Sequence, residues 1–142
     1  MRIAFSTDEV TEVTEQLRRR LAEGGHEVAA SGMGDPWPTV GRWVGDAVAA
    51  GEADLGIVCC WTGTGVALAA NKVPGVRAAL CTDAETARGA RRWNDANVLA
   101  IGLRLTSATV ADEIVDAFLT TDVDPDEVAT IATVEGEGSG EA

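Results

Sequence analysis

The chain is poor in positive charge, in histidine, in cysteine and in long apolar runs. Acidic residues outnumber basic ones 23 to 11 over 142 residues, a formal net charge of −12. Affinity for nucleic acid and anionic lipid comes largely from lysine and arginine, and a surface this negative speaks against both partners. No apolar run reaches the roughly 18 residues of a membrane span. Met1 leads directly into a charged, strand-like start without a signal-peptide pattern, so a cytoplasmic protein is expected. His26 is the only histidine, and the three cysteines, Cys59, Cys60 and Cys81, are odd in number, lie in apolar stretches and form no Cys-x-x-Cys pair. A disulfide framework and a zinc site are thereby disfavoured, and a reducing compartment with no metal and no cofactor is the expectation.

What is present is a soluble globular composition, 46% hydrophobic and 24% charged, in a chain of one-domain length. Strand and helix signals alternate. A strand is expected over Arg2 to Ser6 and a helix over Glu9 to Glu23, where Val10, Val13, Leu17 and Leu21 recur at helical spacing before Gly24-Gly25. A second strand (His26 to Ser31), a Gly/Pro/Trp loop through Pro38 and a helix from Thr39 to Ala50 follow. Asp54 to Cys60 is almost continuously apolar, as in a strand covered on both faces. The turn Thr62-Gly63-Thr64-Gly65 then opens an Ala-rich helix to Lys72. Val76 to Cys81 and Asn97 to Gly102 read as strands, Asp83 to Arg92 and Ser107 to Thr120 as helices. Asp124 to Val134 forms a last helix with Pro125 in its first turn. A single domain is expected over 1–135, with an acidic, Gly-rich, disordered tail over 136–142.

Five such units imply a parallel sheet with helices on both faces, and ligands in these folds sit at the carboxyl ends of the strands. That singles out Ser6 to Glu9, Cys60 to Gly65, and Trp93-Asn94 with the residues around Arg104. In the middle segment, Gly63 and Gly65 let several amides point into one concavity at a helix N-terminus, which favours an anion; a tight turn with no ligand is the alternative. A dinucleotide fingerprint would need glycine where Leu68 stands, and a nucleotide P-loop would need Gly-Lys-Ser/Thr. Cys60 enters this turn, where amides and the helix N-terminus favour a thiolate able to act as nucleophile or base. Cys59 and Cys81 read as buried small apolar residues.

The stretch from Gly56 to Arg104 closely resembles the ribose-5-phosphate isomerase B / galactose-6-phosphate isomerase (LacA/LacB) family. The resemblance rests on Cys-x-Thr-Gly-x-Gly at Cys60 to Gly65, AANKVPGVRAAL at Ala69 to Leu80, NDANVLAIG at Asn94 to Gly102 and the opening RIAFSTD with Asp8. It implies a flavodoxin-like three-layer α/β sandwich and a homodimer, often paired into tetramers, with the active site between subunits. It also implies metal-free aldose–ketose isomerisation of a sugar or sugar phosphate through a cis-enediolate. On this resemblance Cys60 is the base, Thr62 assists proton transfer between substrate oxygens, and amides from Trp61 to Gly65 hold the oxyanion. Asp8 and Asn94 bind hydroxyls and Arg104 contacts phosphate.

Four departures stand out. Glu9 replaces the family's histidine after Asp8, Trp93 replaces the histidine before Asn94, and Trp61 replaces the glycine after the cysteine. The stretch Asp122 to Glu127 carries carboxylates where the family carries two phosphate-binding arginines. An indole N–H only donates, so the acid/base group that assists ring opening is lost. The two added indoles could stack on the substrate, with Trp93 and Glu9 near it, or Trp61 and Trp93 could pack together across the interface. Arg77, Arg91 and Arg92 are further cations that could compensate for the missing pair. The expectation is an isomerase of a short, open-chain or otherwise non-standard sugar (phosphate), such as a tetrose phosphate, rather than ribose 5-phosphate. The alternative is a non-catalytic homologue binding a small metabolite in the former active site. A redox role for Cys59-Cys60 is disfavoured, because adjacent strand residues face opposite ways.

Overall fold

The computed structural model describes residues 1–136, so the expected tail lies, save Gly136, outside the described residues. Five parallel strands form one sheet: β1 (Arg2–Thr7), β2 (Glu27–Ala30), β3 (Leu55–Cys60), β4 (Ala78–Leu80) and β5 (Val98–Gly102). Helices α1 (Glu12–Glu23), α2 (Trp37–Ala49), α3 (Thr64–Asn71), α4 (Ala84–Asn94) and α5 (Ala108–Thr120) alternate with them, and a short α6 (Val128–Ala132) closes the described chain between two 3₁₀ turns.

The strand order is β2-β1-β3-β5-β4. The three-layer α/β class is as expected; the outer two strands are exchanged relative to the flavodoxin order. Burial accounts for the exchange. Every residue of β5 is buried, whereas all three of β4 are only half-buried. The more apolar strand takes the place beside β3, and the shorter one forms the edge, as edge strands usually are. The consequence for the site is direct, since the chain leaving β5 now runs beside the chain leaving β3.

The sheet's alternation builds two cores. On one face Ile3, Phe5, Ile57, Cys59, Leu99 and Ile101 pack against Leu17, Leu21, Ile114 and Phe118. On the other Ala4, Val58, Cys60, Val98 and Ala100 pack against Val40, Val44, Val66 and Ala70. Cys59 and Cys60 therefore belong to different cores, and all three cysteines are free.

Two helix starts differ from expectation. α1 begins at Glu12, not Glu9, because Thr11 and Thr14 cap each other reciprocally, Thr14 N donating to Thr11 Oγ1 and Thr11 N to Thr14 Oγ1. That leaves Glu9 exposed in the loop after β1. α2 begins at Trp37, two residues before the expected Thr39, since Pro36 caps it and Pro38 falls in its first turn, where no N–H is needed. Among the described residues no helix is long and apolar enough to cross a membrane.

Candidate active site at the carboxyl edge of the sheet

β3 delivers Cys60 to the carboxyl edge, 5% exposed. The next turn is made by Gly63, whose φ of +80° belongs to the left-handed region. A side chain there would also strike Leu80 and, at 2.9 Å, the Gly102 amide. In this geometry the Gly63 N–H donates to Cys60 Sγ at 3.2 Å. Gly65 has a further part that its spacing does not suggest. It sits inside α3 at an ordinary helical φ, and it is glycine because the Trp37 indole lies on its Cα: a Cβ would come within 2.9–3.2 Å of three indole carbons.

The first-turn amides of α3, beginning at Thr64 and Gly65, have no carbonyl of their own helix to bond and carry the positive end of its dipole. The Thr62 and Thr64 hydroxyls are paired at 2.9 Å. The loop is fastened to the exit of β5, where Leu103 N donates to Cys60 O at 2.9 Å and Arg104 N to Trp61 O at 2.8 Å.

Cys60, Thr62, Thr64 and Gly65 line a cavity of about 370 Å³, completed by Asp8, Trp37, Trp61 and Leu68. Asp8 is held by its backbone, its N–H donating to Cys59 O at 3.2 Å, while Thr7 Oγ1 donates to Glu9 O at 2.7 Å and fixes the loop. Asp8 Oδ1 is buried without a hydrogen-bond partner. Burial, and secondly the charge of Glu9, raise the Asp8 carboxyl above the usual aspartate range. Burial also pushes up the thiols of Cys59, well above the ordinary value, and of Cys81, to about 11. Both are fully buried, as expected of small apolar residues.

Arg104 is exposed and lines an adjoining cleft of about 100 Å³ with Trp61, Thr62, Leu80 and Leu105. It has no ion-pair partner among the described residues. Among those residues no histidine, cysteine and carboxylate groups cluster as a metal site would.

Trp93 and Asn94 are not at this edge. α4 leaves the carboxyl end of β4 and runs back against the strands, so its last residues lie beside the start of β5, at the amino edge of the sheet. There they line a separate cavity of about 670 Å³ with Arg77, Ile131 and Glu135. The sequence reading that placed them at the strands' carboxyl ends holds for no single copy of the chain. Trp61 and Trp93 likewise line different cavities.

Two of the compensating arginines are committed elsewhere. Arg91 donates to Asp95 Oδ1 (3.0 Å), Ala96 O (2.6 Å) and Thr121 O (3.1 Å), with its guanidinium 5.6 Å from the Phe118 ring centre. Arg77 pairs with Asp95 (3.3 Å) and Glu135 (3.0 Å). Arg92 has no ion-pair partner among the described residues. Trp37 is the site residue the sequence reading missed; Pro-Trp-Pro read as loop punctuation, and nothing local announced that its ring reaches Gly65.

Comparison with known proteins gives a consistent picture. The family model described as Ribose/Galactose Isomerase matches residues 3–133. The galactose-6-phosphate isomerase subunit LacB of Clostridium acetobutylicum is 40% identical, the match covering 78% of this chain and 66% of that protein. Ribose-5-phosphate isomerase B of Escherichia coli is 40% identical over 83% of each. D-erythrulose-4-phosphate isomerase of Pectobacterium atrosepticum is 35% identical over 75% of this chain and 71% of its own. The solved ribose-5-phosphate isomerase B of Clostridium thermocellum superposes with a TM-score of 0.91 at 33% identity, covering all of both chains.

Proposed function

Because the chain belongs to the ribose/galactose isomerase family, we propose that it interconverts an aldose phosphate and a ketose phosphate by proton transfer at Cys60. The observation that carries this reading is the Cys60 sulfur, which accepts the Gly63 amide at 3.2 Å on the wall of a cavity that the first turn of α3 also lines. The thiolate removes the proton from C2 of the aldose, the C–H electron pair becomes the enediolate, and the same sulfur returns the proton to C1. The oxyanion forms only as the reaction proceeds, so amides fixed in advance at Thr64 and Gly65 stabilise the transition state more than the bound sugar. Thr62, paired with Thr64, carries the proton between O1 and O2. Asp8 meets a substrate hydroxyl, which would supply the partner its buried oxygen lacks.

The substrate is short or open-chain, and a tetrose phosphate fits best. Among the described residues no cation lines the Cys60 cavity, and the one histidine, His26, lies at a separate pocket, so none is at hand to open a sugar ring. A four-carbon aldose 4-phosphate cannot close a furanose through a hydroxyl that carries phosphate, so it needs no ring-opening group. The relative named for D-erythrulose 4-phosphate supports a four-carbon substrate within this family. Arg104, free of ion pairs in the adjoining cleft, supplies one phosphate contact.

The site is shared between two copies of the chain. Asn94 and Trp93 belong to the amino edge and Cys60 to the carboxyl edge, so a homodimer that brings one copy's α4 end to the other's Cys60 cavity assembles the full set. The reading is tested by a coupled assay comparing erythrose 4-phosphate with ribose 5-phosphate. It predicts kcat/KM at least about a hundredfold higher for the tetrose, within the roughly 10–200-fold range that one extra carbon in a pocket is worth. Equal or better turnover of ribose 5-phosphate overturns the substrate assignment.

A further inference from the structure

The Cys60 cavity has a wall that neither the family motif nor the proton-transfer chemistry explains. Trp37 is the first residue of α2, fixed between Pro36 at the cap and Pro38 in the first turn, and each proline fixes a backbone φ. One face of its indole rests on the Gly65 Cα, at a distance no side chain at position 65 would permit. The rest is open, Trp37 being 44% exposed, and it lines the cavity that holds Cys60. Solvent contact on an indole is unfavourable by roughly 25 cal/mol per Å² of apolar area. A stiffly mounted, half-bare aromatic surface beside a reacting thiol is therefore suited to covering the C–H face of a ligand.

We propose that Trp37 sets the length of carbon chain accepted at Cys60, by walling the side of the cavity along which the substrate beyond its two reacting carbons must lie. The inference rests on the isomerase reading and adds to it a specificity residue. The reacting carbons are placed by Cys60 and by the first-turn amides of α3, and Trp37 rests on that same turn at Gly65. Carbons beyond C2 then run past the indole towards Trp61 and Thr62, which the Cys60 cavity shares with the Arg104 cleft. On this proposal a four-carbon phosphate lies between the indole and the thiol, while a six-carbon chain meets the indole, whose anchors at Pro36, Pro38 and Gly65 resist displacement. Truncating Trp37 enlarges the cavity by the volume of the ring.

The test uses the full-length protein and unreactive ligands without a carbonyl, namely erythritol 4-phosphate, ribitol 5-phosphate and glucitol 6-phosphate, titrated calorimetrically. The wild type is expected to bind the four-carbon ligand about tenfold or more tighter than the six-carbon one, the scale on which pockets discriminate by methylenes. Trp37→Ala is expected to bring the two within about threefold, mainly by gaining affinity for the longer ligand. Trp37→Phe keeps a flat wall and retains most of the preference, and Gly65→Ala, which pushes the indole off its seat, reduces it; these two decide the matter if Trp37→Ala does not fold. A wild-type ratio retained in Trp37→Ala and Gly65→Ala, or a wild type that binds all three ligands alike or none, overturns the proposal. Turnover is measured separately: length-selective binding lost in Trp37→Ala, with no isomerisation of any aldose phosphate, would overturn the isomerase reading and leave the wall intact.

Discussion

The Gly63 amide donates to the Cys60 sulfur at 3.2 Å, and it can do so only because residue 63 is left-handed, at a φ of +80°. Turn and thiol are one device. The backbone that reverses direction after β3 also offers the sulfur a hydrogen bond.

Gly63→Ala therefore damages the protein twice over. A left-handed alanine costs about 1–3 kcal/mol, and its Cβ collides with Leu80 and the Gly102 amide. Urea unfolding should show a loss at or above the upper end of that range, and the activity of the folded fraction should fall as well. A variant as stable as wild type would mean that the turn relaxes freely.

The Asp8 carboxyl gives stability a pH dependence of definite sign. Burial, with Glu9 second, raises it above the ordinary aspartate value, so the folded state holds the proton more tightly than the unfolded state. The penalty for ionising Asp8 is present above the folded-state value and vanishes as pH falls below about 4. Asp8→Asn should be the more stable protein at pH 7, with the advantage shrinking towards pH 4, while KM rises through the altered hydroxyl contact. Thermal or urea midpoints at the two pH values check the sign; an advantage that grows on acidification contradicts it.

Arg91 is structural, not a substitute phosphate ligand. Its guanidinium bonds Asp95, Ala96 O and Thr121 O and lies over Phe118. Removing it leaves polar partners of a partly buried charge unpaired, which costs about 1.5–3 kcal/mol. Arg91→Ala should lose that much in urea unfolding yet keep KM for the phosphate substrate within about twofold, a change worth under 0.5 kcal/mol. Arg104→Ala should do the reverse, raising KM with little change in stability.

The proposed sharing of the site between two copies predicts complementation. Cys60→Ala and Asn94→Ala homodimers each lack one half of both sites, but a mixed dimer has one site intact. Co-refolding equal amounts should restore on the order of a quarter of wild-type activity, as random pairing of a C₂ dimer gives. Restoration to no more than the parental level would place Asn94 outside a shared site.

Much of this was legible in the sequence. The apolar run ending at Cys60, the glycine at 63 and the proline and glycine stops placed five strands and their helices within a few residues, because those signals are local. The exchange of β4 and β5 was not legible, since it is decided by which strand the whole sheet buries more completely. The place of Trp93 and Asn94 was read as the wrong edge: they adjoin a strand in sequence, but at its start, and motif proximity carries no sign for strand direction. The spacing of Gly65 points to an anion cradle but not to its second part, making room for Trp37, 28 residues earlier in the chain, a contact that no periodicity encodes.

The central claim, that the Cys60 sulfur moves the proton, is tested most directly by the turnover of Cys60→Ala on erythrose 4-phosphate. A positioned general base contributes about 10²–10⁴-fold, so kcat should fall by at least a hundredfold while erythritol 4-phosphate still binds with an affinity near that of the wild type. A Cys60→Ala enzyme within tenfold of wild-type kcat would contradict it.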